Sequence, residues 1–269
     1  MDEKLRKLQI TQTEMLDVID KICRENNIPY SLYAGTLLGA VRHQGFIPWD
    51  DDLDICMSRE NYNRFIELWT HVRPEGFVLQ NKETDPDFTQ SFTKIRKENT
   101  EFLQYEWEAG KYHTGIFIDI FPIDRIPSGK MMRLFFYWDV MKYQLFTREF
   151  IPSKANIVVK TVSKILLSIN SKEKRNVKHK KLLNNITKYN QNCELETVAI
   201  ETMGSMKKTY SKTMLDKYVL LPFEGREFMC FAEWEHYLQN KFGNYMQLPP
   251  ENERCWRHHP IVLEFDIKN

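Results

Sequence analysis

The hydrophobic and polar positions of this chain predict a mixture of helices and strands that does not alternate strictly. Apolar residues at helical spacing predict an N-terminal helix from about Leu5 to Asn26. The same spacing predicts helices from about Glu60 to Val72 and from about Glu227 to Phe242. Short β-prone runs predict strands at Tyr30 to Ala34, Phe77 to Leu79, Phe92 to Arg96 and Ile116 to Phe121. This order indicates an α/β or α+β core built around one sheet.

The composition is that of a globular protein. A chain of 269 residues with 42% hydrophobic residues can bury a substantial core, as one large domain or two small ones. The N-terminus lacks the apolar region of a signal peptide, and no apolar run reaches the roughly 18 residues of a membrane span. The five Cys are odd in number and widely separated, which favours reduced thiols. We therefore expect a cytoplasmic protein.

Charge is unevenly distributed along the chain. The net charge is only +1, yet residues 130–190 contain 14 Lys and Arg against three Asp and Glu. The same segment has apolar residues at helical spacing, from Met131 to Trp138 and from Ile157 to Ile169. Such basic amphipathic helices either lie on an anionic membrane surface or pack on the core with solvated lysines. Nucleic acid is not expected as a partner, because no reading motif accompanies the basic residues.

Four aspartates within five residues, Asp50, Asp51, Asp52 and Asp54, are the strongest chemical signal in the sequence. On a β-strand, alternation would point Asp50, Asp52 and Asp54 to one face. Carboxylates that close together repel one another unless a cation neutralises them, and hard oxygen ligands favour Mg²⁺ or Mn²⁺. The alternative interpretation is a solvated acidic turn, or an N-cap run before the helix that follows.

A phosphate-binding turn is predicted directly before the aspartates. The strand at Tyr30 to Ala34 is followed by Gly35-Thr36, after which apolar residues continue at helical spacing. A helix N-terminus presents free backbone N–H groups and partial positive charge, and Thr36 adds a hydroxyl donor. Arg42, one turn further along the helix, is a candidate for a bidentate phosphate contact.

Five other charged or titratable positions are candidates for the same site. Asp119 is the one charged residue in the apolar run from Ile116 to Phe121, and an unpaired buried carboxylate costs several kcal/mol. Asp119 is therefore either functional or paired with an arginine. Lys94 and Arg96 share one face of a predicted strand, as phosphate ligands or as solvated charges. His258 and His259 precede Pro260, in a surface turn or at a functional site.

The residues from Gly35-Thr36 through the short helix to Asp52-Leu53-Asp54 resemble the Gly-Ser and Asp-x-Asp signature of the polymerase-beta-like nucleotidyltransferase fold. The longer run from Ala34 to Ile55 resembles the LicD family. Further matches to that family are Lys94 to Thr100, Gly115 to Asp124, Leu221 to Gly225, Tyr237 to Pro250, and His258-His259. Two departures are Thr36 in place of the usual Ser and a longer spacing from the turn to the aspartates. Threonine retains the hydroxyl donor.

This resemblance implies an α+β nucleotidyltransferase core with a mixed sheet flanked by helices. It divides the chain into a catalytic core at residues 1–128, an inserted basic amphipathic helical segment at 129–192 and a C-terminal helical part at 193–269 that completes the active site. Asp52, Asp54 and Asp119 would be the metal ligands and catalytic carboxylates, with Asp119 as ligand or general base. Gly35, Thr36, Arg42, Lys94, Arg96, His258 and His259 would bind substrate and its phosphates.

The activity implied by the resemblance is Mg²⁺- or Mn²⁺-dependent transfer of phosphocholine from CDP-choline to a sugar hydroxyl, with release of CMP. The acceptor would be a polyprenol-linked precursor of teichoic acid, lipopolysaccharide or another glycan, at the inner face of the membrane. Alternatives are another CDP-linked cargo such as ribitol or glycerol phosphate, nucleotidyl transfer, or a non-catalytic membrane adaptor. Aromatic residues that could surround choline are Trp49, Tyr105, Trp107, Trp234 and Trp256, and the sequence selects none of them.

Overall fold

The fold was determined from a computed structural model that describes residues 2–151, 156–200 and 208–267. Within these ranges the helices are α1 (Glu3–Glu25), α2 (Ala34–His43), α3 (Arg59–Val72), α4 (Lys130–Arg148), α5 (Ile157–Ser168), α6 (Lys172–Thr187) and α7 (Trp234–Phe242). The strands are β1 (Ser31–Leu32), β2 (Asp54–Ser58), β3 (Phe77–Gln80), β4 (Thr93–Lys97), β5 (Glu101–Leu103), β6 (Phe117–Arg125), β7 (Thr197–Ile200), β8 (Tyr210–Ser211), β9 (Tyr218–Phe223), β10 (Arg226–Phe231) and β11 (Val262–Glu264).

The chain divides into two compact units. The first unit contains Met1–Gln80, Phe92–Pro122 and Thr213–Asn269, and the second contains Asn81–Ser91 and Ile123–Lys212. The sequence-based prediction of an α+β protein with a sheet flanked by helices is confirmed. All the charged residues proposed above for catalysis or phosphate binding lie in the first unit.

The sheet of the first unit has the strand order β1-β2-β6-β4-β3. Strands β1 and β2 are antiparallel, and β4 is antiparallel to both β3 and β6. In the β4–β6 register Lys94 lies opposite Asp119, and Arg96 lies opposite Phe117. The topology thus brings together charged residues that are far apart in the sequence.

Helix α1 packs an apolar stripe against the rest of the first unit. Polar residues also lie within that stripe. Leu8, Met15 and Ile19 are fully buried at helical spacing, as the sequence pattern predicts. Gln9 and Gln12 are also buried on this face. Their side-chain amides donate to backbone carbonyls elsewhere in the unit, because a buried amide without an acceptor would be destabilising.

The predicted helix from Glu227 to Phe242 is wrong in its first half. Strands β9 and β10 form an antiparallel hairpin there, and α7 begins only at Trp234. Along β10, Phe228 and Cys230 are buried whereas Glu227 is exposed, which is the period of two of a half-buried strand. The hairpin turn at Glu224-Gly225 has positive φ at both residues, as a two-residue β-turn requires.

The second unit contains the basic segment. Helices α4, α5 and α6 form where the sequence predicts helices, and β7 pairs with residues 123–125 of β6. Phe136, Val140 and Phe146 of α4 share a hydrophobic cluster with Leu182 and Ile186 of α6. In the part of the chain that the structure describes, no helix combines the length and apolar character needed to cross a bilayer.

Glu224 provides a pH-dependent test of this fold. Its carboxylate accepts from Arg6 at 2.6 Å and from the Phe46 amide at 3.0 Å. Burial alone would raise the pKa of Glu224, but these hydrogen bonds outweigh it and hold the pKa below its usual value. The ionised side chain therefore stabilises the folded protein above the unfolded pKa of about 4.3, and this contribution is lost as pH falls through the folded pKa.

We expect Glu224→Gln to lower the free energy of unfolding by about 1 kcal/mol at pH 7, since the Arg6 ion pair is partly exposed. The difference in stability should shrink as pH falls through the lowered folded pKa of Glu224 and should be lost below that pKa. Thermal unfolding followed by circular dichroism between pH 3 and 8 measures both effects. An equal loss at every pH would show that the charge of Glu224 does not contribute.

Candidate active site

The acidic stretch Asp50-Asp51-Asp52 lies just before β2, and its backbone is fixed from two sides. The buried amides of Gln9 and Gln12 on α1 donate to the carbonyls of Asp50 and Asp51 at 2.9 and 3.3 Å. On the other side, the Asp119 amide of β6 donates to the Leu53 carbonyl at 3.0 Å. The strand begins only at Asp54, so the stretch is an extended approach to the sheet rather than part of β2.

Helix α2 contributes contacts from its first turn. Gly35 and Thr36, predicted as a turn ahead of the helix, are its second and third residues. The buried hydroxyl of Thr36 accepts from the Asp54 amide at 2.9 Å and so fixes the start of β2. A Cβ atom on Gly35 would lie 2.6 Å from Oδ2 of Asp50, so a larger residue there would displace the Asp50 carboxyl group. Their predicted role in phosphate binding stays a prediction.

Asp51 is the most deeply buried carboxylate of the site, with no exposed surface. Its Oδ2 accepts from the His258 amide at 2.9 Å, and its Oδ1 lies 3.0 Å from Nδ1 of His258. The Arg257 amide is a third, longer donor at 3.4 Å. Burial alone would raise the pKa of Asp51, but the His258 hydrogen bond and charge outweigh it, and the pKa lies below its usual value.

His258 connects Asp51 to Asp52. While Nδ1 faces Asp51, Nε2 lies 3.8 Å from Oδ2 of Asp52. Ligand atoms of the three residues all lie within 4.8 Å of one another, which is close enough to hold one metal ion. Burial would lower the pKa of His258, but the two carboxylates outweigh this and raise it.

The carboxyl groups of Asp50 and Asp52 are neighbours, and each has a raised pKa. Burial is the largest cause that raises the pKa of Asp50 well above its usual value, and the charge of Asp52 raises it further. The pKa of Asp52 is also raised, first by burial and then by Asp51 and Asp119, while His258 and Arg257 oppose the shift. Burial and the neighbouring carboxylates therefore both disfavour the charged form of these two groups.

Asp119 is close to this cluster but carries its own partner. Nζ of Lys94 lies 2.5 Å from Oδ1 of Asp119, and both side chains are almost fully buried. The same ammonium lies over the ring of Phe117, 3.3 Å from its centroid. Burial lowers the pKa of Lys94, and the negative charge of Asp119 acts in the opposite direction. The structural pairing anticipated for Asp119 is thus made with a lysine rather than an arginine.

The two predicted phosphate-binding arginines are both engaged in contacts with the protein. Arg96 is buried and donates to Gln80 at 2.5 Å and to the Gly115 carbonyl at 2.7 Å. Arg42 donates to the Tyr245 carbonyl at 2.9 Å and so connects α2 to the segment after α7. These contacts give both residues a positioning role, and their binding of phosphate stays a prediction.

The remaining candidates are separated in the structure. His259 is exposed and has a positive φ of 42°, whereas His258 points into the site. Among the aromatic candidates, Trp49 has the guanidinium of Arg254 over its ring at 5.6 Å. Tyr105 and Trp107 stack on each other, with ring centroids 5.8 Å apart. None of these contacts by itself identifies a choline site.

Three residues of the site were missed by the sequence analysis. Strand alternation predicts that Asp51 points away from Asp50, Asp52 and Asp54. In the structure the Asp51 carboxylate instead has the closest contacts with His258. Gln9 and Gln12 received no role. A signal for them exists, because both glutamines interrupt the apolar stripe of α1 at positions facing the core. The fact that they support the acidic stretch could not be predicted without the fold.

The donor set fits a hard divalent cation. Carboxylate oxygens are the ligands that Mg²⁺ and Mn²⁺ prefer, and burial together with neighbouring carboxylates raises the pKa of Asp50 and Asp52, a cost that a bound cation would relieve. Asp51 already accepts three hydrogen bonds, two from backbone amides, so it is better suited to orient His258 than to bind the ion itself. Asp52 and Nε2 of His258 lie where they could contact an ion, and metal binding by Asp54 stays a prediction.

Comparison with known proteins adds an independent finding. Residues 27–157 match the family model described as LicD/FKTN/FKRP, nucleotidyltransferase domain. Over 264 residues the chain is 28% identical to the lipopolysaccharide cholinephosphotransferase LicD of Haemophilus influenzae, spanning 94% of this chain and 96% of that protein. An uncharacterized protein of Rickettsia prowazekii is 28% identical over 54% of this chain and 50% of its own length.

A second rickettsial relative, an uncharacterized protein of Rickettsia typhi, is 33% identical over 30% of this chain and 28% of its own length. The family match includes Gly35, Thr36, the acidic stretch, Lys94 and Asp119, whereas His258 lies outside the matched residues. The predicted resemblance to LicD-like transferases is thereby confirmed. The chain therefore contains a LicD-family nucleotidyltransferase domain at residues 27–157.

Proposed function

We propose that this protein transfers phosphocholine from CDP-choline to a sugar hydroxyl of a cell-surface glycan precursor and releases CMP. The observation that carries the proposal is similarity over nearly the whole chain to a lipopolysaccharide cholinephosphotransferase. The clustered carboxylates support it, since phosphate transfer depends chiefly on positioning and on offsetting negative charge. The acceptor in this proposal is a polyprenol-linked intermediate of lipopolysaccharide or teichoic acid.

The proposed cofactor is Mg²⁺ or Mn²⁺, held by Asp52 and Asp54 beside His258. When bound, such an ion offsets charge on the donor's diphosphate oxygens. Asp51 holds His258 in place through Nδ1, which leaves Nε2 directed toward Asp52. Gly35 and Thr36 keep the first turn of α2 close to the acidic stretch.

The proposed reaction is a displacement at the phosphorus that carries choline. The acceptor hydroxyl oxygen forms a bond to this phosphorus while the bond from phosphorus to the oxygen of CMP breaks. The hydroxyl proton passes to a carboxylate of the site, and Asp119 is our candidate because it neighbours Asp52 and is oriented by Lys94. The negative charge of the broken bond leaves on CMP.

Other cargoes on the same fold are the main alternatives, namely CDP-ribitol, CDP-glycerol or a nucleoside triphosphate used for nucleotidyl transfer. Incubation with each donor, followed by chromatography of CMP and pyrophosphate, separates them. CMP release from CDP-choline alone would support our proposal, whereas pyrophosphate release would favour nucleotidyl transfer.

The carboxylates provide the direct test. We expect Asp52→Asn and Asp54→Asn each to lower CMP release from CDP-choline by about 100-fold or more, because each removes negative charge that holds the cation. Both variants should also bind Mn²⁺ more weakly in calorimetric titrations. Asp266→Asn, at an exposed carboxylate, is the matched control. Full activity in either site variant, with an unchanged circular dichroism spectrum, would refute the proposal.

Asp51→Asn tests the difference between a ligand and a residue that orients one. Because Asp51 contacts His258 and two backbone amides, we expect its replacement to weaken Mn²⁺ binding by about 10- to 100-fold, and less than Asp52→Asn does. Calorimetry on both variants, with thermal unfolding as the check of folding, makes the comparison. A loss in Asp51→Asn equal to or greater than that in Asp52→Asn would make Asp51 a ligand.

The second unit suggests how the protein reaches a lipid-linked acceptor, and we propose that α4 contacts an anionic membrane surface. One face of α4 is buried through Phe136 and Val140. The opposite side carries large exposed apolar residues, namely Met131, Leu134, Phe135 and Trp138, and Met132 is exposed at the margin of the buried face. Leu134 and Phe135 are both 63% exposed, within a segment that has 14 basic residues. Apolar insertion and attraction to anionic headgroups would act together here.

Vesicle flotation tests this contact. We expect the protein to float with vesicles containing 30% phosphatidylglycerol and to remain in solution with pure phosphatidylcholine. Phe135→Ser together with Trp138→Ser should lower the bound fraction several-fold, whereas Val72→Ser, at an exposed apolar residue of α3, should not. Unchanged flotation of the double variant would refute a role for this face. Flotation without any Mg²⁺-dependent nucleotide binding would favour the adaptor alternative.

A further inference from the structure

A cleft of about 440 Å³ lies in the first unit beside the acidic stretch. One wall is formed by Leu38 and Arg42 of α2, and Trp49 continues it toward Asp50. The opposite wall is formed by Phe242, by residues 244–245 and 247–250, and by Glu253 and Arg257. The volume is within the range of small-molecule sites, which is about 300–1,000 Å³.

Two lining residues, Trp49 and Arg257, connect the cleft to the aspartates of the acidic stretch. Trp49 directly precedes Asp50, and Arg257 directly precedes His258 and donates its backbone amide to Asp51. The charge of Arg257 also reaches the cluster. Burial raises the pKa of Asp50 and Asp52, and Arg257 opposes this at both residues. A ligand in this cleft would therefore extend to the phosphate-transfer site.

The two arginines of the lining differ in availability. Arg42 already donates to the Tyr245 and Gln247 carbonyls, so it chiefly fixes the far wall. Arg257 is exposed, and its guanidinium makes no hydrogen bond to any residue that the structure describes. Arg257 is thus a cation at the edge of the cleft that can contact a phosphate directly.

Charge decides which end of a CDP-linked donor fits. A quaternary ammonium prefers aromatic rings in a neutral or acidic setting, whereas the charged lining of this cleft is two cations, Arg42 and Arg257, against one anion, Glu253. Outside the lining, the Arg254 guanidinium also lies over the Trp49 ring. The same cations attract a phosphate. The rings of Trp49 and Tyr245, with Leu38 and Leu248, provide flat and apolar surface for a base. The positive charge of the arginines and the flat apolar surface of the walls both favour a nucleoside monophosphate.

We propose that this cleft binds the CMP moiety of the donor, with Arg257 on its phosphate and Trp49 beside its base. The inference rests on the proposed use of a CDP-linked donor and deepens it by assigning the nucleotide end. It also excludes Trp49 from the choline site. The choline end then lies on the other side of the carboxylates, away from the three arginines.

Binding of CMP, cytidine and phosphocholine in the presence of EDTA tests this assignment without turnover or metal. We expect Arg257→Gln to weaken CMP binding by about tenfold or more and to leave cytidine binding unchanged, while Arg257→Lys recovers part of the loss. Trp49→Leu should weaken both CMP and cytidine binding, and Trp49→Phe should weaken them less. Arg226→Gln, at an exposed arginine that pairs with Asp17, is the control.

Unchanged CMP binding in both Arg257→Gln and Trp49→Leu would overturn the inference, as would loss of phosphocholine rather than cytidine binding in Trp49→Leu. Failure of the wild-type protein to bind CMP in calorimetry would overturn it as well. Turnover of CDP-choline by the wild type separates the two proposals. If the wild type turns over CDP-choline but the variants bind CMP normally, the proposed function is supported and the assignment of CMP to this cleft is refuted. If the variants show the expected binding pattern but the wild type does not turn over CDP-choline, the CMP site is supported and phosphocholine as the transferred group is refuted.

Discussion

The site depends on the burial of one carboxylate, that of Asp51. A charged group with no exposed surface is stable only if donors surround it, because desolvation otherwise costs several kcal/mol. Those donors come from Arg257 and His258, which lies 207 residues away in the sequence. Satisfying Asp51 therefore requires the C-terminal segment to close over the acidic stretch, and that closure brings His258 to Asp52 and Arg257 to the cleft.

The other contacts make this arrangement rigid. Gln9 and Gln12 fix the backbone of the acidic stretch from α1, and Thr36 fixes the start of β2 from α2. Glycine at position 35 permits the close approach of Asp50. Helix α1 contributes two polar contacts to this region and α2 contributes one, so the carboxylates are held in place before any ligand arrives. Such preorganisation is what electrostatic stabilisation of a transferred phosphoryl group requires.

Local patterns predicted the helices α1 and α3, the central strands and the Gly35-Thr36 and Asp52-Asp54 motifs, because these signals lie within one or two turns of chain. They failed at the β9–β10 hairpin, where apolar residues satisfied a helical spacing as well as a strand period. The partnership of Asp51 with His258, and of Lys94 with Asp119, follows from sheet register and chain closure. No local pattern encodes either, so sequence could nominate these residues but not pair them.

The pairing leaves an unequal charge balance, and this is the physical reason to expect a cation. Lys94 is committed to Asp119, and His258 is committed first to Asp51. Asp52 has the longer contact with His258 and shares the charge of Arg257 with Asp50, and burial is the first cause that raises the pKa of both aspartates. Burial thus opposes ionisation of both carboxyl groups. In our proposal a divalent ion would relieve this cost, and its remaining coordination positions would be open to a donor's diphosphate.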